Sequence, residues 1–143
     1  MKIKKKNLAP LLSVNKQIMN NSLLKKELGS TLTTVLSAQK NAKTLEKHLT
    51  EFTEDSEAVK KEAANKDENG QPIITQTPQG LKYDIPQEKI TEAVDVINTM
   101  SEEEIDIHLN VFNEDTCDVV LRYIGAETEV FLEHLMENAP VEV

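Results

Sequence analysis

The sequence predicts a mainly helical α+β fold: a long antiparallel helical arm tipped by a β-hairpin, with a short strand pair and C-terminal helices. Three patterns carry that expectation. Val35, Ala38, Ala42, Leu45, Leu49, Phe52, Ser56, Val59 and Ala63 recur at alternating steps of three and four, the seam of one helix sustained for about four heptads. Only Ser56 departs from small or apolar chemistry. At Lys66-Asp67-Glu68-Asn69-Gly70-Gln71-Pro72 glycine and proline forbid the helix to continue, so the chain turns back. Ile105, Ile107, Leu109 and Val111 alternate with Glu104, Asp106, His108 and Asn110, the period of a strand with one buried and one polar face.

The elements follow in order. Ile3 sits in a short alternating start that reads as an edge strand, its lysines turned to solvent. Asn7 is a helix cap, Pro10 lies in the first turn, and Leu8, Leu11, Leu12, Ile18 and Met19 form one apolar stripe. Leu23, Leu24 and Leu28 suit either a short helical turn or an extended link. Gly29-Ser30 reads as a break and a cap, opening the long helix from about Thr31 to Ala64. Two β-prone runs, 73–77 and 81–85, flank Pro78-Gln79-Gly80 and predict a hairpin within 67–85.

Pro86 suits the first position of a second helix, whose stripe is Ile90, Ala93, Val94, Ile97 and Met100. That helix is shorter than the seam, so part of the seam must meet the N-terminal helix, another subunit or a partner. Asn113 caps a following helix with Val119, Val120, Tyr123 and Ile124 buried and Gly125 as its stop. Thr128 or Glu127 opens a last helix carrying Val130, Phe131, Leu135 and Met136, and 139–143 is a tail. One domain over 1–143 is expected, in three parts: 1–30, the arm 31–100, and 101–143.

Composition narrows the function classes. With 38% hydrophobic residues, no Trp, three Phe and two Tyr, the core must be aliphatic. No stretch approaches the ~18 apolar residues that cross a bilayer, and the basic start lacks the apolar run of a signal peptide. A cytoplasmic protein without membrane contact is expected. The single Cys117 excludes an internal disulfide and argues against a thiolate metal site; it reads as a small buried hydrophobe. Residues 1–66 carry a net charge of +6 and residues 67–143 one of −15. Arginine, the usual bidentate reader of phosphate, is absent from the basic half, so nucleic acid is a poor partner. The asymmetry fits halves that attract each other on folding, or an acidic face that binds a protein.

No reaction centre emerges. The four glycines match neither dinucleotide nor P-loop spacing. A calcium loop opening at Asp67 would place Pro72 and Pro78 where glycine and a bidentate glutamate belong, so it is rejected. Glu104, Asp106 and His108 share one face of the expected strand and are the sole pattern suggestive of cation binding or catalysis. No enzyme, cofactor or metal is expected. The candidate partner-binding residues are Asp67, Glu68, Asn69, Gln79 and Lys82 at the hairpin end, and Glu102, Glu103, Glu104 and Asp106 on the acidic face.

Three segments carry a resemblance: Met1-Lys2-Ile3-Lys4, Asn41-Ala42-Lys43-Thr44-Leu45-Glu46, and the K-D-E-N-G-x-P-I run at 66–73. On these, within the first 75 residues or so, the chain resembles an uncharacterised family of small proteins from phages and prophages of Gram-positive bacteria. The resemblance implies phage or prophage origin, with the host cytoplasm as the compartment of a phage-encoded chain, and a function without an agreed biochemical label; it transfers no site residues. The function expected is a non-enzymatic protein-binding module that inhibits or redirects a bacterial host or defence protein. The alternative is a component or chaperone of virion assembly that self-associates through the open seam.

Overall fold

The computed structural model describes residues 1–29 and 32–137. The expected cap at Ser30, the helix start at Thr31 and the tail 139–143 lie outside the described residues. The chain divides into two compact units, Met1–Leu49 with Glu104–Val143, and Thr50–Glu103. The division runs through the long helix, so each unit is described in turn.

In the first unit, β1 (Lys2–Lys4) pairs antiparallel with β2 (Glu104–Asp106) in the register Lys2↔Asp106, Ile3↔Ile105, Lys4↔Glu104. Here the basic and acidic halves of the sequence meet, opposite charges facing across the ladder. A 3₁₀ turn at Lys5–Asn7 leads into α1 (Leu8–Asn20). That turn holds Asn7 in helical geometry, and its side chain makes no capping bond, contrary to expectation. Leu8, Leu11, Leu12, Val14 and Ile18 are buried. The ambiguous stretch resolves as helix α2 (Ser22–Leu28), because Asn21 caps it by accepting from the Leu23 and Leu24 amides.

The long helix α3 (Leu32–Ala63) follows, and each of the nine seam residues is buried or half-buried. Its first half sends Ala38, Ala42 and Leu45 into the main core. That core also holds Ile3, Ile107, Leu109 and Phe112. It is completed by α5 (Glu114–Val120), through Cys117 and Val120, and by α6 (Thr128–Leu135), through Phe131 and Leu135. The Phe112 and Phe131 rings pack 6.3 Å apart at 32°. Asn113 caps α5 by accepting from the Thr116 amide at 2.8 Å, as its type and place predict.

Three expectations need correcting in this unit. The strand ends at Asp106 and does not run to Val111. Alternating burial persists to Leu109, but Val111 is exposed and Phe112 takes the core position. The reason is Asn41 on α3: its Oδ1 accepts from the Asn110 amide at 2.7 Å and its Nδ2 donates to the Asn110 carbonyl at 2.9 Å. A side-chain amide therefore fills the place of a neighbouring strand. Helix α5 also stops at Val120, short of Gly125. Its winding tightens there into three-residue turns, the Arg122 amide reaching the Val119 carbonyl and the Tyr123 amide the Val120 carbonyl.

In the second unit the hairpin is β3 (Ile74–Thr77) with β4 (Gly80–Tyr83), in the register Ile74↔Tyr83 through Thr77↔Gly80. Two residues, Pro78 and Gln79, make the turn, and Gly80 begins the second strand with φ +113°, a conformation that needs glycine. The hairpin base is tied to the end of α3, where Asn65 donates to the Asp84 carbonyl and accepts from the Ile73 amide, both at 2.8 Å. Helix α4 (Gln87–Glu102) then starts beside the end of α3, with Pro86 as its cap and not its first residue.

Candidate interaction surface

Asp67 is committed to its own loop. Its Oδ1 accepts from the Asn69 amide at 2.8 Å and the Gln71 amide at 3.0 Å, while its backbone bonds Gln71 and Gly70. Gly70 at φ +77° completes the turn. Glu68 and Asn69 are exposed on the same loop at the hairpin base. Gln79 is at the other end, its amide donating to Thr77 Oγ1 at 3.3 Å, and Lys82 stands exposed opposite Thr75. At ~3.3 Å per strand residue, base and tip lie roughly 15 Å apart. The expected hairpin site is thus two separate places.

The acidic run is likewise divided. Glu102 and Glu103 close α4 in the second unit, whereas Glu104 and Asp106 belong to β2 in the first. Helix α4 alone separates Glu102 from the hairpin by about 20–25 Å, at ~1.5 Å per residue. Asp106 accepts from the Met1 amino group at 2.9 Å, and that ammonium, with Lys2 beyond it, holds its carboxyl below the ordinary range. His108 is exposed and follows the end of the strand. Among the described residues no three His, Cys, Asp or Glu come together to hold a metal ion. Cys117 is buried, and burial followed by Asp118 and Glu114 pushes its thiol up to about 11, the behaviour of a packed hydrophobe.

The second unit has a different character from the first. Of the buried hydrophobic residues among those described, it contains Ala64 and Ala93 alone. Its large apolar side chains stand in water instead: Ile74 is 49% exposed, Leu81 69%, Ile90 40%, Val94 48% and Val96 42%. Ile90 and Val94 were expected on the buried stripe of α4, yet only Ala93 of that stripe is buried, with Ile97 and Met100 half-covered. Ile74 and Leu81 share one hairpin face with Tyr83, whose hydroxyl is raised above the ordinary phenol range by partial burial and by its bond to Glu57 on α3.

Between α3 and α4 lies a groove of about 470 Å³. Ala58, Val59 and Ala63 line it from α3, and Ala93 and Val96 from α4; Glu62, Lys89 and Glu92 are its charged lining residues. Val59 and Ala63 belong to the seam and are half-buried, so α4 flanks the second half of the seam without closing over it, while the first half packs in the main core. Val96, Glu62, Lys89 and Glu92 were not singled out from sequence. The available signal was that α4 is apolar at 90, 93, 94, 96 and 97, more than one helical face can hide. No helix among the described residues is long and apolar enough to cross a membrane. Comparison with protein-family models, curated proteins and solved structures finds no match to this chain.

Proposed function

We propose that this chain is a non-enzymatic protein-binding module of phage type, acting on a bacterial host or defence protein, and that Thr50–Glu103 carries the contact. The observation behind this reading is the apolar surface of that unit. A segment of this size whose buried hydrophobics are two alanines gains little from burial on its own. Its five most exposed apolar side chains, two on the hairpin and three on α4, then gain by being covered. The first unit also exposes Leu23, Leu32, Leu36 and Val111, but it has an aliphatic and aromatic core of its own, so the shortage of buried apolar groups falls on the second unit.

The test is affinity capture from a Gram-positive lysate, with light scattering on the eluate. The wild-type chain is expected to bring down one bacterial protein in stoichiometric amount. A Leu81→Ser/Val94→Ser variant of unchanged helicity is expected to lose it. A homo-oligomer with no captured protein would overturn this reading and favour a virion-assembly component.

A further inference from the structure

We infer that the groove between α3 and α4 receives a basic amphipathic helix of a partner protein. This rests on reading Thr50–Glu103 as the binding unit, and it names the surface and the chemistry of what binds. The lining residues fall at 58, 59, 62 and 63 on α3 and at 89, 92, 93 and 96 on α4. Those are successive turns on one face of each helix, so the groove runs along two helical rods. Its natural complement is a third helix, presenting large apolar side chains at i, i+3 or i+4, and i+7. Alanine at 58, 63 and 93 keeps the floor low, which leaves room for Leu- or Met-sized groups from the occupant.

Charge selects the occupant. Thr50–Glu103 carries thirteen carboxylates and five lysines, a net charge of −8. Glu62 stands on the α3 side of the groove and Glu92 on the α4 side, with Lys89 the single cation of the lining. Of the remaining lysines, Lys60 is paired with Glu57 at 3.6 Å. The same unit of a second copy would bring another −8 against this surface, and nucleic acid would bring phosphates. A helix with a lysine- and arginine-rich flank meets the opposite sign, gaining encounter rate and orientation as well as the apolar contact.

The experiment uses the whole chain and a fluorescein-labelled helical peptide, LKKLLKLLKKLLKL, read by anisotropy and by amide NMR. Its controls are a scrambled peptide of equal composition and the glutamate counterpart LEELLELLEELLEL. Binding on the order of micromolar is expected, at least about tenfold tighter than the scramble and weakening about tenfold between ~50 and ~500 mM salt. Amide shifts should concentrate at 58–63 and 89–96. Glu62→Lys with Glu92→Lys should weaken binding about tenfold without moving the melting temperature. Equal binding of the scramble or of the glutamate peptide overturns the inference, as do shifts confined to other residues. Dimerisation that produces the same shifts makes a second copy the occupant and overturns it too. Capture of a lysate protein that Glu62→Lys/Glu92→Lys leaves unchanged refutes the groove while the binding reading stands.

Discussion

Replacing Asn41 should disable the first unit more than replacing any polar residue on its surface. Its amide makes three hydrogen bonds, Nδ2 donating to the Asn15 side-chain oxygen Oδ1 at 3.1 Å and to the Asn110 carbonyl at 2.9 Å, and Oδ1 accepting from the Asn110 backbone amide at 2.7 Å. Asn15 in turn donates to the Leu11 carbonyl at 2.8 Å, and both asparagines are buried. In Asn41→Ala each bond lost is worth about 1 kcal/mol, and the buried Asn15 oxygen left without its donor adds about 1 kcal/mol more. The half-burial of Asn110 lets water recover part of this, which leaves about 3 kcal/mol. For a unit of roughly 90 residues that lowers the melting temperature by about 12 °C or more.

Asn41→Asp sharpens the prediction. The new carboxylate still accepts from the Asn110 amide but sets a second acceptor against the Asn110 carbonyl and Asn15. Burial raises its pKa, and protonation restores a donor. That variant should therefore grow more stable relative to wild type as pH falls, the reverse of a surface asparagine-to-aspartate change. Urea unfolding followed by circular dichroism measures both. A loss below about 1 kcal/mol for Asn41→Ala, or no pH trend for the aspartate variant, would refute the bridging role assigned to this amide.

Three further outcomes follow from the geometry. Asp67→Ala should speed hydrogen exchange at the Asn69 and Gln71 amides about tenfold, about 1.4 kcal/mol of local opening, while Glu68→Ala changes neither; equal effects would place both residues on open surface. The Asp106 carboxyl should titrate below its usual 3.8, so its contribution to the β1–β2 pair is complete above that value and is lost as pH falls through the lowered pKa. Acetylating the Met1 amine should move this titration upward in carboxyl NMR, and no movement would remove the ammonium as its cause. Cys117 should resist iodoacetamide at pH 8 in the folded chain and react fully in denaturant, because its thiol is pushed up to about 11; rapid labelling of folded protein would contradict its burial.

Much of the fold was legible because its signals are local. The seam spacing from Val35 to Ala63 encodes one face of one helix, and Pro78-Gln79-Gly80 between β-prone runs encodes a hairpin without reference to anything distant. The strand at 104–111 overshot because periodicity reports which residues are buried and says nothing about what the backbone bonds. At Asn110 the partner is a side chain 69 positions earlier in the sequence. Asn41, one place before a seam alanine, reads as an ordinary polar flank. The candidate site was less legible. Asp67 has the residue type of a ligand contact and also that of a loop-closing side chain, and the structure uses it for the loop. The groove depends on how closely α3 and α4 approach, which no spacing within either helix encodes.

The helix α3 belongs to two environments at once. Its first eighteen residues reach the main core, while its remaining turns run along an open groove. Segments with few buried apolar contacts open locally at low free energy, and local opening is what a protease requires. Thr50–Glu103 should therefore be cut first by trypsin, and filling the proposed groove should slow that cut in proportion to occupancy. On the proposed reading the same relation ties lifetime to company: copies with an empty groove are the ones open to cleavage, and the standing amount of the protein would follow the amount of its occupant.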